Sequence, residues 1–380
     1  MPAGDCGFFC AFRVVRYNGA VMRQRKNIFI GLSGGVDSSV SAALLVRAGY
    51  RVTGAFIKAW YPDFLPCSWR EERLDAMRVC ATLGIPFVTI DLEAEYKRAV
   101  IDYFVREYAV GRTPNPDVVC NREIKFGTFL SRAAALGADL IATGHYARTE
   151  QTDGRHLLRG IDSGKDQSYF LWAVPEAALE KTLFPVGGYL KSDVRKLARS
   201  FGLPTAAKKD SQGLCFLGHI DVREFLSHYL DVRPGNVRDG AGEIIGEHDG
   251  ALLYTVGQRH GFRVRARGES SVPRYVLTTD VVKNEITVGE TPHAQSYSPG
   301  GGTLTAEDAH WIGPPPAIGS TVFCSVRYRD RGRPGSVVSM EGDSFSVKVE
   351  GLVAVAPGQS IVLYDGDRCL GGGTASVSSA

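Results

Sequence analysis

Two groups of residues in this chain have the types and spacing to do chemistry. The first is Ser33-Gly34-Gly35-Val36-Asp37, inside GLSGGVDSS. Residues 27–32 (NIFIGL) read as a buried strand. Residues 37–48 (DSSVSAALLVRA) read as a helix, with Val40, Ala43, Leu44 and Val46 toward a sheet and Gly49 closing it. A chain that leaves a strand through a Gly-Gly turn into a helix aims unpaired N–H groups, and the positive end of the helix dipole, above the turn. Phosphate is the usual occupant of such a place. The stretch Gly31, Leu32, Ser33, Gly34, Gly35, Val36, Asp37 and Ser38 is therefore a candidate nucleotide cradle. The Ser33 and Ser38 hydroxyls add donors, and Asp37 tolerates a phosphate when Mg²⁺ lies between them. The loop lacks the GK[ST] ending of a Walker loop and is not GxGxxG.

The second group is a pair of thiols. Cys120 lies in TPNPDVVCNREIKFG, where Pro114 and Pro116 stiffen the approach and a helix is expected from about Asn121. A thiol at a helix start, near Arg122 and Lys125, has its pKa lowered from roughly 8.5. Cys215 lies in AKKDSQGLCFLG, a polar loop with Gly213, Gly218, Lys208 and Lys209 nearby. The bland reading makes both small buried residues. Each follows a loop of Asp, Asn, Gln and Pro rather than an apolar stripe, which favours a functional one. The eight cysteines show no CxxC pair and no zinc spacing. A large chain without a secretion signal points to a reducing cytoplasm.

Strand-like runs (NIFIGL, YRVTGAFI, PFVTIDL, ADLIATGHYA) alternate with helical stretches such as 71–83 and 121–135. This implies an α/β fold with a Rossmann-like, mostly parallel sheet covered on both faces. Ligands sit beyond the carboxyl ends of such strands. The SGGVDS turn, the stretch 57–60 and Thr143-Gly144-His145 all fall at that edge. The expected organisation is an extension over 1–26, a catalytic domain over 27–184, a small helical central domain over 185–237 and a C-terminal β-barrel-like domain over 238–380. Val194, Leu197, Ala198 and Phe201 form one helical face of the central section, and Phe225 and Leu226 belong to another helix. Residues 1–26 carry Arg13, Arg16, Arg23, Arg25 and Lys26 against one acid, Asp5. An unstructured extension or a misassigned start fits residues 1–21 better than a transit peptide. No apolar run approaches the length of a membrane span. The net charge of +3 is too small to argue for nucleic acid, so local clusters must carry that case.

SGGxDS resembles the pyrophosphatase-loop ATPases, which cut ATP between the α and β phosphates and adenylate a substrate. Together, GLSGGVDSS, TPNPDVVCN, ATGHYAR, KDQSYFL, LFPVGGYLKSDVRKLA, KKDSQGLCF, YTVGQRHG, SVRYRD and PGQSIVLYDG resemble the bacterial tRNA-specific 2-thiouridylases over nearly the whole chain after Arg23. The resemblance implies ATP with Mg²⁺, a tRNA whose wobble uridine is adenylated at its 2-oxo position, and a persulfide donor (a cysteine desulfurase or sulfur relay protein). It implies that Cys120 is the nucleophile of NPDxxCN and Cys215 the persulfide carrier of DSQGxCF, the two forming a disulfide after turnover. Asn115, Pro116 and Asp117 then meet the target base, with Asp117 as proton acceptor. The competing role for Asp117 is a cap on the coming helix. Ile57 stands where the family often has methionine and packs on adenine, and Gly144 borders the nucleotide. Lys165, Asp166, Gln167, His145, Arg327, Tyr328, Arg329 and Gln359 become tRNA contacts. Their bland alternatives are a turn, a core histidine, a solvated basic face (with Arg331 and Arg333) and an ordinary PGQ turn. Three rival readings remain at this stage. One is another adenylating enzyme, such as a tRNA-lysidine or amidating synthetase. Another is a non-catalytic RNA binder with an ATP-sensing loop. The third has Asp117, Cys120 and Cys215 ligating an iron–sulfur cluster, and ranks low because clusters want more thiolates.

Overall fold

The computed structural model describes residues 25–64, 69–151, 154–209, 221–265, 272–290, 302–351 and 355–376. Most of the N-terminal extension, and Cys215, lie outside the described residues. Strand β1 (Asn27–Gly31) is the centre of a five-stranded parallel sheet in the order β3-β2-β1-β4-β7. Its neighbours are β2 (Arg51–Lys58) and β4 (Leu140–Ala142), with β3 (Phe87–Asp91) and β7 (Thr182–Leu183) at the edges. Ile28 and Ile30 are fully buried because helices cover both faces.

The helix α1 (Val36–Arg47) starts one residue earlier than expected, and its burial is not confined to one stripe. Ser38, Ser39, Ser41, Ala42 and Leu45 are buried along with Val40 and Ala43, while Leu44 and Val46 are only half-buried. Helices α2 (Trp69–Leu83) and Lys191–Ser200 both pack on it, which explains the burial on more than one side. Small serines permit that crowding. In the helix Lys191–Ser200, Val194 and Ala198 are buried, with Leu197 and Phe201 packed beside them as expected.

The helix expected from Asn121 begins instead at Pro116. It runs over 116–135 as Pro116–Val119, a π-helical stretch Cys120–Thr128, and Phe129–Ala135. Proline fits a first helical turn because its missing N–H has no intrahelical partner there anyway.

The β-rich half is two sheets. One has the order β10-β9-β8-β12-β11, formed by β8 (Gly235–Arg238), β9 (Ile244–His248), β10 (Phe262–Val264), β11 (Tyr275–Asp280) and β12 (Glu285–Gly289). The other is a closed antiparallel barrel, β13-β16-β15-β14-β17-β18, with β13 pairing back to β18. Its strands are β13 (Gly302–Trp311), β14 (Thr321–Ser325), β15 (Arg333–Glu341), β16 (Ser344–Val349), β17 (Ser360–Asp365) and β18 (Arg368–Ala375). Strand β18 also pairs with β6 (Arg155–Arg159) of the hairpin formed with β5 (Ala147–Gln151). The hairpin of the N-terminal half thus extends the barrel's own sheet. Tyr364, Cys369 and Val362 join Phe129, Leu157 and Trp172 in one core. At this junction the Arg159 guanidinium lies 3.5 Å from the Tyr364 ring centre and 3.3 Å from Asp166.

Candidate active site

The cradle forms where β1 runs out into α1. Gly34 has φ +70, and a Cβ there would stand 2.5 Å from the Glu72 carbonyl oxygen of α2, so this position requires glycine. Gly35 is different. It is the extended N-cap of α1 (φ −95, ψ 170), and among the described residues a Cβ would meet only Ser33 Oγ at 3.3 Å. The backbone demand therefore falls on the first glycine, and the second leaves room for whatever approaches. Ser38 Oγ accepts from Ser33 N–H (3.3 Å), and Ser39 Oγ donates to the Gly35 carbonyl (2.6 Å). These bonds hold the turn open above the helix N-terminus. Gly144, just past β4, packs directly on this end of α1, since a Cβ would stand 2.6 Å from Ser38 N. Ile57, buried near the end of β2, occupies the next strand along.

Asp37 projects from the first turn of α1 and has two partners. Lys191 Nζ lies 2.6 and 2.7 Å from its two oxygens, and the Tyr146 hydroxyl donates to it at 2.7 Å. The Lys191 side chain is only 11% exposed. The residues present suit a triphosphate with Mg²⁺: N–H groups and a lysine for phosphate, and one carboxylate to share the metal with phosphate oxygens.

A second wall carries the cysteine. Asn115 is the N-cap of the helix 116–135 and makes no side-chain cap bond, and Asp117 lies inside the first turn rather than at the N-cap position. Asp117 sits half-buried in the first turn, where free N–H groups favour a negative charge. Cys120 follows one turn later and is fully buried. Its place is not the helix start, so the dipole argument made from sequence applies to Asp117 rather than to the thiol. His145 joins the two walls. It is hydrogen-bonded to Thr143 Oγ1 (2.7 Å), approaches Lys125 Nζ of the cysteine helix at 3.4 Å, and packs among Phe126 and Phe184. Burial, then the Lys125 charge, pushes its pKa well below the usual 6.5, so the ring is neutral and works as a link.

Profiles of three families match this chain in order. They are the tRNA methyl transferase HUP domain over residues 26–219, the tRNA methyl transferase PRC-barrel domain over 223–290 and the aminomethyltransferase beta-barrel domain over 302–375. The tRNA-specific 2-thiouridylase MnmA of Xanthomonas euvesicatoria pv. vesicatoria is 47% identical over 93% of this chain and 94% of its own length. That of Idiomarina loihiensis is 46% identical over 92% and 95%. The chain belongs to the tRNA-specific 2-thiouridylase family. Among solved structures, an NMN synthetase from Francisella tularensis superposes with a TM-score of 0.32 at 19% identity, covering 49% of this chain and 67% of that one.

In this 2-thiouridylase-family chain the TPNPD loop is held from outside the catalytic domain. Gln359 of the barrel donates to the Thr113 and Pro114 carbonyls (2.9 and 3.2 Å), and Thr113 N–H donates to Pro357 O (2.8 Å). Asn115 Nδ2 reaches Ser360 Oγ at 3.3 Å, and the Thr113 and Thr255 hydroxyls bond at 2.9 Å. Gln359, read from sequence as a tRNA contact, thus has its amide occupied in clamping this loop. Asp166 is also turned inward, accepting from Gly160 N, Ser168 N, Ser168 Oγ and Arg159. It builds the turn, the bland alternative weighed for it. Gln167 exchanges two bonds with the backbone of Tyr146 and so fixes the tyrosine that touches Asp37. Lys165 is half-buried at the tip of the same turn.

The basic cluster lies against this turn. Tyr328 packs on Phe170 (ring centres 4.8 Å apart), whose carbonyl accepts from Asn121 beside Cys120 (2.9 Å). Arg331 bonds Ser163 (3.0 Å), while Arg327 and Arg329, exposed like Arg331 and Arg333, make no such bond to this turn among the described residues. The structure thus brings together the cradle, His145, the cysteine helix and the Arg327–Arg329 turn. Sequence reasoning missed Lys191 and Tyr146 as partners of Asp37, and placed Lys208 near Cys215 without its bond to the cradle. One signal was available for Lys191. It opens a helix, where the dipole disfavours a cation, so its charge is used elsewhere.

Proposed function

We propose that this chain is an ATP-dependent sulfurtransferase that adenylates the 2-oxo group of the wobble uridine of tRNA and replaces that oxygen with persulfide sulfur. The observation that most supports it is the His145 link, which connects the helix bearing Asp117 and Cys120 to the loop packed on the phosphate cradle. Activating the uridine oxygen and delivering sulfur then need only one crevice. The uridine 2-oxygen attacks the α-phosphorus of ATP and pyrophosphate leaves, while Asp117 takes the N3 proton. Asp37 would hold a magnesium ion, whose charge would favour departure of pyrophosphate. The outer sulfur of a Cys215 persulfide attacks C2 and AMP leaves. Cys120 thiolate then attacks the Cys215 sulfur, releasing 2-thiouridine and leaving a Cys120–Cys215 disulfide, which a dithiol reductant opens with two electrons. A cysteine desulfurase or relay protein recharges Cys215. Among the described residues no helix is long and apolar enough to cross a membrane, and the reducing cytoplasm suits a catalytic thiol pair.

The test is mass spectrometry of nucleosides from undermodified tRNA incubated with the protein, ATP, Mg²⁺ and a persulfide donor. A gain of one sulfur for one oxygen at the wobble uridine is expected, together with one AMP per event. AMP without sulfur incorporation in any tRNA would favour another adenylating chemistry on the same loop.

Arg327 and Arg329 are exposed cations on the proposed tRNA edge, flanking Tyr328. Changing both to alanine is expected to weaken tRNA binding and to flatten the plot of log affinity against log salt by about two units, roughly one per lost phosphate contact. Filter binding at several salt concentrations reads this directly. Equal slopes would reduce the pair to ordinary surface charge.

A further inference from the structure

Lys208 makes contacts that nothing in the reaction as described requires. Its ammonium lies 3.1 Å from the Gly34 carbonyl oxygen and 2.9 Å from Asp75 Oδ2 of α2. The Asp75 side chain is 18% exposed and that of Lys208 35%. Glu72 belongs to the same cluster. Its carboxyl pKa is raised chiefly by burial, with Lys208 opposing. Fixing a lysine side chain costs rotamer entropy that an exposed ion pair alone barely offsets. The added bond to a carbonyl of the cradle gives the placement a purpose. In a trans peptide the carbonyl and the following N–H point in opposite directions. By holding the Gly34 carbonyl toward α2, Lys208 turns the Gly35 N–H away from α2. Lys208 also stands seven residues before Cys215, so chain length keeps the two Cα atoms within about 25 Å of each other.

We propose that Lys208 is a positioning residue that ties the start of the Cys215 segment to the Gly34 peptide, so that sulfur is delivered while the cradle holds its product. This rests on the reading of Cys215 as sulfur carrier. Without the tie, adenylated tRNA forms but waits longer for sulfur. Water then attacks C2, expels AMP and regenerates uridine.

The measurement is pyrophosphate released and 2-thiouridine formed in the same reaction, with tRNA, ATP, Mg²⁺ and a persulfide donor. Lys208→Met is expected to raise the pyrophosphate-to-thiouridine ratio at least tenfold. Persulfide loading of Cys215, read by mass spectrometry, should be unchanged. Lys208→Arg should bring the ratio back toward the parent value, and Asp75→Asn should raise it less than Lys208→Met does. A merely structural lysine would lower both products together at constant ratio. That result overturns the proposal, as does a parent-like ratio in Asp75→Asn should Lys208→Met fail to fold. Cys215→Ser run in parallel separates the two readings. Full thiolation in that variant removes the underlying mechanism, whereas a dead Cys215→Ser beside an unchanged ratio in Lys208→Met removes only the role of Lys208.

Discussion

Cys215→Ser is expected to form no 2-thiouridine, a loss of at least about 10³-fold, while still releasing pyrophosphate slowly in the presence of tRNA. A hydroxyl cannot carry sulfane sulfur, but adenylation needs no thiol. Cys120→Ser is expected to fail differently. It should accept labelled sulfur on Cys215 and stall before turnover, because nothing attacks the Cys215 sulfur to release the product. Wild-type protein after one turnover without reductant should give a peptide pair joining Cys120 to Cys215. That bridge requires Cα atoms within roughly 7 Å. Cys120 is fully buried in this structure, so the tRNA-bound enzyme must present it differently. Its alkylation by iodoacetamide should accordingly speed up when tRNA is added. Label on Cys120 instead of Cys215, or full activity in either serine variant, would falsify the assignment.

The parallel sheet was legible because fully buried strands read as continuous apolar runs. The crevice was legible because three of those strands end in Gly, His or aromatic residues. The helix start at Pro116 was not. Two prolines in TPNP suggest extended chain, and the decision to begin a helix on the second depends on tertiary contacts from Gln359, Ser360 and Thr255, distant in sequence. The inward turn of Asp166 was hidden for a similar reason. Its partners are backbone N–H groups and Arg159, and an Arg159 stacked on Tyr364 cannot be read from a hairpin sequence. Motif resemblance pointed to the residues proposed here to meet substrates. It said little about those that hold them, because positioning residues are recognised by what they touch.

The same contacts explain why a barrel accompanies this catalytic domain. The loop preceding Cys120 has Pro, Asn and Asp but little apolar surface of its own, so it cannot be fixed by burial alone. The barrel turn at 357–360 supplies hydrogen bonds at Thr113, Pro114 and Asn115. Strand β18 in turn is locked to β6 of the catalytic half. Positional accuracy at Asp117 and Cys120 is thereby imported from a rigid closed sheet. Tyr328 and Phe170 continue the same surface to the exposed arginines, so RNA bound there, as proposed above, would be held against the elements that align the thiol.

Asp37→Asn is expected to reduce kcat/KM for ATP by at least about 10²-fold with tRNA saturating, and to leave persulfide loading of Cys215 intact. The amide keeps the side chain's shape but removes the charge that balances Lys191 and that would hold magnesium. Breaking a pair of this burial costs between the roughly 0–1 kcal/mol of an exposed pair and the roughly 3–5 kcal/mol of a buried one, so Tm should fall by a few degrees. The two glycines separate fold from ligand space in the same loop. Gly34→Ala places a side chain at φ +70, against the Glu72 carbonyl. It should cost about 1–3 kcal/mol of stability together with ATP use. Gly35→Val meets no such backbone strain, since its φ of −95 suits any residue and, among the described residues, only Ser33 Oγ stands near. It should keep a parent-like Tm and lose pyrophosphate release, because the added methyl groups occupy the space a phosphate needs. Calorimetry on both variants, beside a pyrophosphate assay with tRNA present, reads the distinction. Wild-type pyrophosphate release in Gly35→Val and Asp37→Asn together would place ATP somewhere other than this turn.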